Sequence, residues 1–216
     1  MHRTLHLSVL FLMCFAALNA CKIVKNADPA EAGQAEEAQT DEARMALLSR
    51  QIWEPKVLPA VAQLLAPLPD LRAALAEDVD AASAQYGYKP EGEASPWNFA
   101  VAGSGRVVET KMKSRAAKVE VDTDGDGAAD VTLQLGPIIR GTALRDAMPF
   151  LSFSDFRDQI EFAKLAGGLN KMAHETIEIP TEDPIGQTVT FEGVYTFKDL
   201  ESRPEIVPTS VTFGAP

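Results

Sequence analysis

Between positions 41 and 88 apolar residues recur at helical spacing, and from Trp97 onward they alternate with a period of two. This change of period predicts an α+β chain. The later elements read as three strands, a long helix and two more strands. That is the order of the OB-fold, a five-stranded Greek-key barrel with a helix between strands three and four. The expected architecture is therefore a small N-terminal helical unit, 41–88, followed by an OB-fold-like β-barrel domain, 97–216. An open α+β sheet built from the same elements is the alternative.

The chain begins with the short basic stretch Met1-His2-Arg3 and an apolar run from Leu5 to Ala17. That run is shorter than the roughly 20 residues a membrane-spanning helix needs, and it has the layout of a secretion signal. Leu18-Asn19-Ala20-Cys21 resembles a bacterial lipoprotein cleavage box. Residues 1–20 then read as the signal peptide and Cys21 as the lipidated residue. The alternative is an ordinary signal peptide with an incidental cysteine. Cysteine usage favours the lipid: Cys14 leaves with the signal, and one remaining thiol in an exported chain can form no internal disulfide. Residues 21–40 are acidic and poor in core formers, as expected of a flexible tether. Lys22 stands where Gram-negative sorting rules place Asp for inner-membrane retention, so the membrane leaflet stays open. The expected location is the bacterial cell envelope, exported, lipid-anchored and facing the periplasm.

Charge narrows the partners. The formal net charge is −11, and loss of Arg3 with the signal makes it −12. Such acidity argues against nucleic acid and against charge-driven binding to anionic lipid. The basic turn Lys111-Met112-Lys113-Ser114-Arg115 is too small to reverse this.

Within the helical unit, Thr40 can cap a helix whose first turn holds Asp41 and Glu42, with Met45, Leu48 and Ile52 on its apolar face. Pro55 and Pro59 interrupt it, and Pro59 suits the first turn of a second helix carrying Val61, Leu64 and Leu65. A third helix starts near Pro69 or Asp70, presents Leu71, Leu75, Val79, Ala82 and Tyr86, and ends at Gly87. Tyr88 to Pro96 is a loop by composition. The first strand, Trp97 to Glu109, contains Gly103 and Gly105, where a bulge or sharp bend is expected. Arg115 to Val121 and Asp130 to Leu135 form the next pair. Thr142 can cap a turn of helix ended by Pro149. Ser154 is expected to cap a longer helix to about Met172, with Phe156, Ile160, Ala163 and Gly167 on one face. Gln187 to Phe197 and Glu205 to Phe213 complete the strands, and Pro208 places the last one at an edge or at a bulge.

Between the second and third strands lies Asp122-Thr123-Asp124-Gly125-Asp126-Gly127-Ala128-Ala129-Asp130. Side chains at positions 1, 3, 5 and 9 (Asp122, Asp124, Asp126 and Asp130) and the carbonyl of Ala128 at position 7 can converge on a hard cation. Gly127 occupies position 6, where the loop turns sharply. Position 12 is Leu133 rather than Glu, and the flanks are strands, so this is not a helix–loop–helix motif. Structural Ca²⁺ is the expected cofactor. A solvated, metal-free acidic turn is the alternative.

Five stretches carry a family resemblance: Trp53 to Pro59, Tyr86-Gly87, Pro96-Trp97-Asn98-Phe99, Val121 to Asp130, and Gly136 to Phe150 with its Arg-Gly-Thr-Ala-Leu-Arg-Asp run. They are similar to those of the predicted periplasmic lipoproteins of unknown function, over nearly the whole mature chain. The resemblance implies an exported, lipid-anchored domain often encoded beside sugar ABC transporters. It implies no catalytic mechanism.

The candidate ligand residues are Trp97 and Asn98 at the start of the first strand, and Arg140, Arg145 and Asp146 after the third. Guanidinium and carboxylate groups hydrogen-bond polyols, and aromatic faces stack on sugar rings. The alternative is that the arginines pair with acids and brace the turn. Hydrolysis is poorly supported: His174 is the one histidine of the mature chain, and no G-x-S-x-G elbow occurs. The expected function is an accessory or binding lipoprotein, with a sugar ABC-transporter component or a small carbohydrate as partner. A glycan-acting envelope enzyme and a purely structural lipoprotein are the alternatives.

Overall fold

The computed structural model describes residues 40–92 and 94–214. The expected signal peptide, Cys21 and the tether up to residue 39 lie outside the described residues. Thr40 caps α1 (Asp41–Ile52), its Oγ1 accepting the Ala43 N–H at 3.2 Å. Pro55 has no N–H to donate, and the chain around it widens into a π-helical turn, Trp53–Val57. α2 (Leu58–Leu64) follows, with Pro59 in its first turn as expected. A short strand not foreseen in the sequence, β1 (Leu65–Pro67), precedes α3 (Leu68–Glu77) and α4 (Val79–Tyr86). One helix was expected over α3 and α4. Asp78 divides it, because its backbone is extended and its carboxylate accepts the N–H groups of Asp80 and Ala81, both at 3.0 Å. β2 (Gly87–Tyr88) ends the helical third.

The barrel strands are β3 (Asn98–Thr110), β4 (Lys118–Asp122), β5 (Val131–Gln134), β6 (Thr188–Thr196) and β7 (Glu205–Phe213). Their order is β3-β4-β5-β7-β6, and β6 returns to β3. This closed circuit is that of the OB-fold and rules out the open-sheet alternative. β3 makes closure possible. It pairs with β6 from Asn98↔Thr196 to Arg106↔Thr188, then with β4 from Arg106↔Asp122 to Thr110↔Val119.

Of the bulge or bend expected at Gly103 and Gly105, the bulge needs correction. The β3–β6 register runs unbroken through both, and the irregularity in β3 lies between Val107 and Glu109. The two glycines instead permit close approach. A Cβ on Gly103 would stand 2.7 Å from the Phe191 ring, and one on Gly105 would overlap the Asp122 carbonyl. The expectation for Pro208 holds as a bulge, since the β6–β7 register shifts between Glu192 and Gly193, with Gly193 opposite Pro208.

Successive residues of the barrel strands serve two cores. Val101, Val121, Leu133, Phe191 and Ile206 fill the barrel interior, which Leu68, Leu71 and Leu75 of α3 close. Ala100, Val194 and Val207 face outward against Met45, Trp53 and Val61 of the helical third. α5 (Ala143–Asp146) and α6 (Gln159–Thr176) pack in this outer core through Leu144, Leu165 and Leu169. The helices therefore share both cores with the barrel, and Thr40 onward forms one compact unit.

The start and face of α6 differ from expectation. Asp158, not Ser154, caps it by accepting the N–H groups of Ile160 and Glu161. Its buried face carries Leu165, Leu169 and Ala173, whereas Ile160 is 64% exposed. Apolar residues on both faces misled the periodicity. Two ion pairs tie the starts of α1 and α6 together: Arg157–Asp41 at 2.6 Å and Arg44–Glu161 at 2.5 Å.

Gly105→Ala should cost about 3 kcal/mol or prevent folding, because backbone rather than a movable side chain occupies the space. Gly167→Ala is the matched control. Open space surrounds it on α6, and it should gain roughly 0.5–1 kcal/mol in urea unfolding.

Candidate functional site

The acidic hairpin loop is held by its own backbone. Asp122 Oδ1 accepts the N–H groups of Asp124 and Gly125, and Oδ2 accepts that of Gly127 at 2.9 Å. Asp124 and Asp126 make the same kind of turn two residues on, to Asp126 N and Ala128 N. Gly125 and Gly127 take the positive φ these turns need, +85° and +89°. Of the four expected carboxylate ligands, the structure gathers three: oxygens of Asp122, Asp124 and Asp130 lie within 4.8 Å of one another. Asp126 is outside this group.

Asp130 has a second role. Its Oδ2 accepts the N–H and hydroxyl of Thr123, and its Oδ1 accepts Arg72 Nη1 of α3 at 2.6 Å. Burial works against its charge, but Thr123 and Arg72 outweigh it and hold the carboxyl below the usual range. The same Arg72 nitrogen reaches Thr123 Oγ1 at 3.2 Å. Helix and hairpin are thus joined beside a cleft of about 600 Å³. The other walls are the turn at Arg140 and Gly141, and the loop from Phe197 to Pro204 between β6 and β7.

Tyr195 lies on the cleft wall. Its residue is only 3% exposed, and its ring packs on Phe99 at 5.6 Å between centroids. Burial pushes its hydroxyl well above the ordinary value, so the phenol remains protonated. Arg140 is placed by its backbone: Gln134 accepts its N–H at 2.8 Å and donates to its carbonyl at 3.2 Å, while Asn170 Nδ2 donates to the Gly141 carbonyl at 2.9 Å. Arg203 fastens the β6–β7 loop to β4 through Glu120 at 2.7 Å. Glu120 is 4% exposed and also meets Lys118 at 2.9 Å and the Thr132 hydroxyl. Burial opposes its charge, yet these three partners hold its pKa below the usual value.

Among the expected ligand residues, only Arg140 lines this cleft. Asn98 is buried and spent within the fold, accepting the Thr196 hydroxyl at 2.7 Å and donating to the Pro96 carbonyl. Trp97 packs at the edge of the barrel core, with Lys89 Nζ 5.9 Å from its ring centroid. Arg145 and Asp146 pair with each other at 2.7 Å, and the guanidinium lies 3.9 Å from the Phe162 ring centroid. They brace α5 against α6, the alternative entertained for them. His174 holds the carbonyl of Leu135 at 2.9 Å. Arg72, Tyr195 and Arg203 were not foreseen. Arg72 sits beside core-facing Leu71, Tyr195 follows the strand alternation, and Arg203 lies in a loop; none carries a motif.

Residues 11–212 match the model of a family described as predicted periplasmic lipoprotein (DUF2291). The chain belongs to that family. It is an exported, lipid-anchored protein facing the periplasm, in agreement with the reading of its first residues. No curated protein matches the lipoprotein. Among solved structures it is similar to an OB-fold protein from Thermotoga maritima, with 21% identity and a TM-score of 0.61 over 79% of this chain and 98% of that one. At that identity the likeness shows the fold alone. Among the described residues of the lipoprotein, no helix is long and apolar enough to cross a membrane.

Glu120 stays ionised to lower pH in the folded chain than in the unfolded one. Its contribution is complete above the unfolded value near 4.5 and is lost as pH falls through the lowered folded value. Glu120→Gln should therefore cost about 1–3 kcal/mol near neutral pH. Urea unfolding of the wild type and the variant should converge as the pH is taken below 4.5. An equal gap at all pH values would remove the charge from the explanation.

Proposed function

We propose that this lipoprotein is an accessory binding protein of the cell envelope, anchored by lipid on Cys21, whose cleft takes a small polar ligand connected with sugar import. The observation that carries this reading is the cleft itself. Its 600 Å³ suits a ligand of one or two sugar rings. Guanidinium, carboxamide and phenol groups converge there on rigid elements, beside apolar surface from Leu75 and Phe197. This mixture suits polyhydroxylated molecules, which present hydroxyls at the ring edge and C–H groups on the ring face. It also supports binding over a purely structural role. The sugar-transport connection rests on the genomic company that the family resemblance implies.

A glycan-cleaving enzyme gains less support. It would need a carboxyl group raised towards neutrality to donate a proton. Among the described residues, every carboxylate with a displaced pKa is displaced downward, Glu120 and Asp130 of this region included.

Structural Ca²⁺ at Asp122, Asp124 and Asp130 belongs to the same proposal. Three converging carboxylates repel one another, and a cation between them offsets that repulsion. It would stiffen the hairpin that carries Asp130 to the cleft.

Titration calorimetry of the full lipidated protein in detergent should show saturable one-site binding of a monosaccharide. Arg140→Ala should weaken it about tenfold or more while leaving the melting midpoint in place. Absence of saturable binding at millimolar sugar would sink the ligand reading. Co-purification from native membranes should recover a sugar-transporter permease. In thermal melts, free Ca²⁺ at ten times its Kd should add roughly 1.4 kcal/mol over chelator. Asp124→Ala should abolish that shift, and identical midpoints in both buffers would exclude the metal.

A further inference from the structure

We propose that Tyr195 and Arg72 form a subsite for the carboxylate of a small monoanionic ligand, so that the cleft prefers sugar acids to neutral sugars. This rests on the cleft being a small-ligand site, and adds which chemical group it selects.

Tyr195 is a buried polar side chain with an unused donor. Its ring is fixed between strands in the barrel core, yet its hydroxyl has no hydrogen-bonding partner among the described residues. It is not among the buried side-chain atoms cut off from solvent, and Tyr195 lines the cleft. A phenol sealed in by its ring but open at its oxygen is placed to meet a ligand.

Arg72 supplies the charge. Its Nη1 is committed to Asp130 and Thr123, which lock the guanidinium in position. Its Nε and Nη2 groups retain three N–H donors without a partner among the described residues. Arg72 and Tyr195 both line the cleft, and Leu75, one turn on from Arg72 in α3, belongs to the same core cluster as the Tyr195 ring. Burial keeps the phenol protonated, so it can donate. A fixed guanidinium face and a protonated hydroxyl together present donors, and the complementary group is an oxyanion.

The surrounding charges limit that oxyanion to a single charge. The cleft carries Arg72, Arg140, Lys198 and Arg203, but Arg72 and Arg203 are already paired with Asp130 and Glu120. Against them the cleft also presents Asp199, Glu201 and Glu205. A carboxylate needs one cationic face and finds it. For a phosphate dianion the two remaining cations, Arg140 and Lys198, are outnumbered by the three acids, which oppose a second negative charge.

The test is titration calorimetry of the full lipidated protein with three matched sets: the hexoses glucose, galactose and mannose, their uronates, and their 6-phosphates. At least one uronate should bind tenfold or more tightly than its parent hexose and its phosphate. Tyr195→Phe keeps the ring against Phe99 and removes only the hydroxyl. It should cost that uronate about tenfold in affinity, with an unchanged melting midpoint and a clearly smaller loss for the parent hexose. Hexoses binding as well as uronates, with Tyr195→Phe without effect, would overturn the carboxylate subsite and leave the cleft reading intact. Tighter binding of a phosphate would overturn the monoanion assignment. No saturable binding in any set would overturn both.

Discussion

Closure of the barrel through β3 is the constraint on which the rest of the structure depends. One strand of 13 residues must pair with β6 along its first part and with β4 along its second, changing neighbours at Arg106. Such a strand has to coil tightly around a small interior, and its inner and outer faces must tolerate close neighbours. Gly103 and Gly105 meet this need by making room for the Phe191 ring and for the end of β4. The irregularity after Val107 then lets the register to β4 continue towards the next turn.

Closure also determines where the helices go. A barrel this small leaves one end open and one outer face apolar. α3 closes the end with Leu71 and Leu75, and α1, α2 and α6 cover the face. The backbone of the helical third even joins the sheet, since Leu65 to Pro67 run parallel to Ala100 to Ala102. Hydrophobic burial supplies this cohesion without direction. Long-range ion pairs supply the direction: Arg72–Asp130 sets α3 against the acidic hairpin, and Arg203–Glu120 sets the β6–β7 loop against β4.

Those two pairs also form the cleft. Each ties a wall to the barrel, and each spends an acid to hold an arginine. An acidic envelope protein thereby keeps guanidinium groups oriented at its cleft although its net charge is strongly negative.

Much of this was legible in the sequence because it depends on local chemistry. Change of apolar period marked the helical third and the strands, Thr40 and Pro59 marked helix starts, and the strand–helix order indicated the OB-fold. The acidic loop was legible as a turn for the same reason: alternating aspartates and glycines dictate their own backbone bonds. Asp78 and Asp158 were missed as caps because Val79 and Ile160 extend apolar patterns across them. The ligand residues required more than local information. Arg145 and Asp146 looked available until Phe162, from another helix, filled the space beside them. Arg72 and Asp130 are 58 residues apart, and Tyr195 reaches the same cleft from a third segment. Composition and period determined the elements, their order and the exported setting. Which polar groups were consumed by the fold, and which were left facing a cavity, only the tertiary packing decided, because a hydrogen-bonding group declares its partner only when distant segments meet.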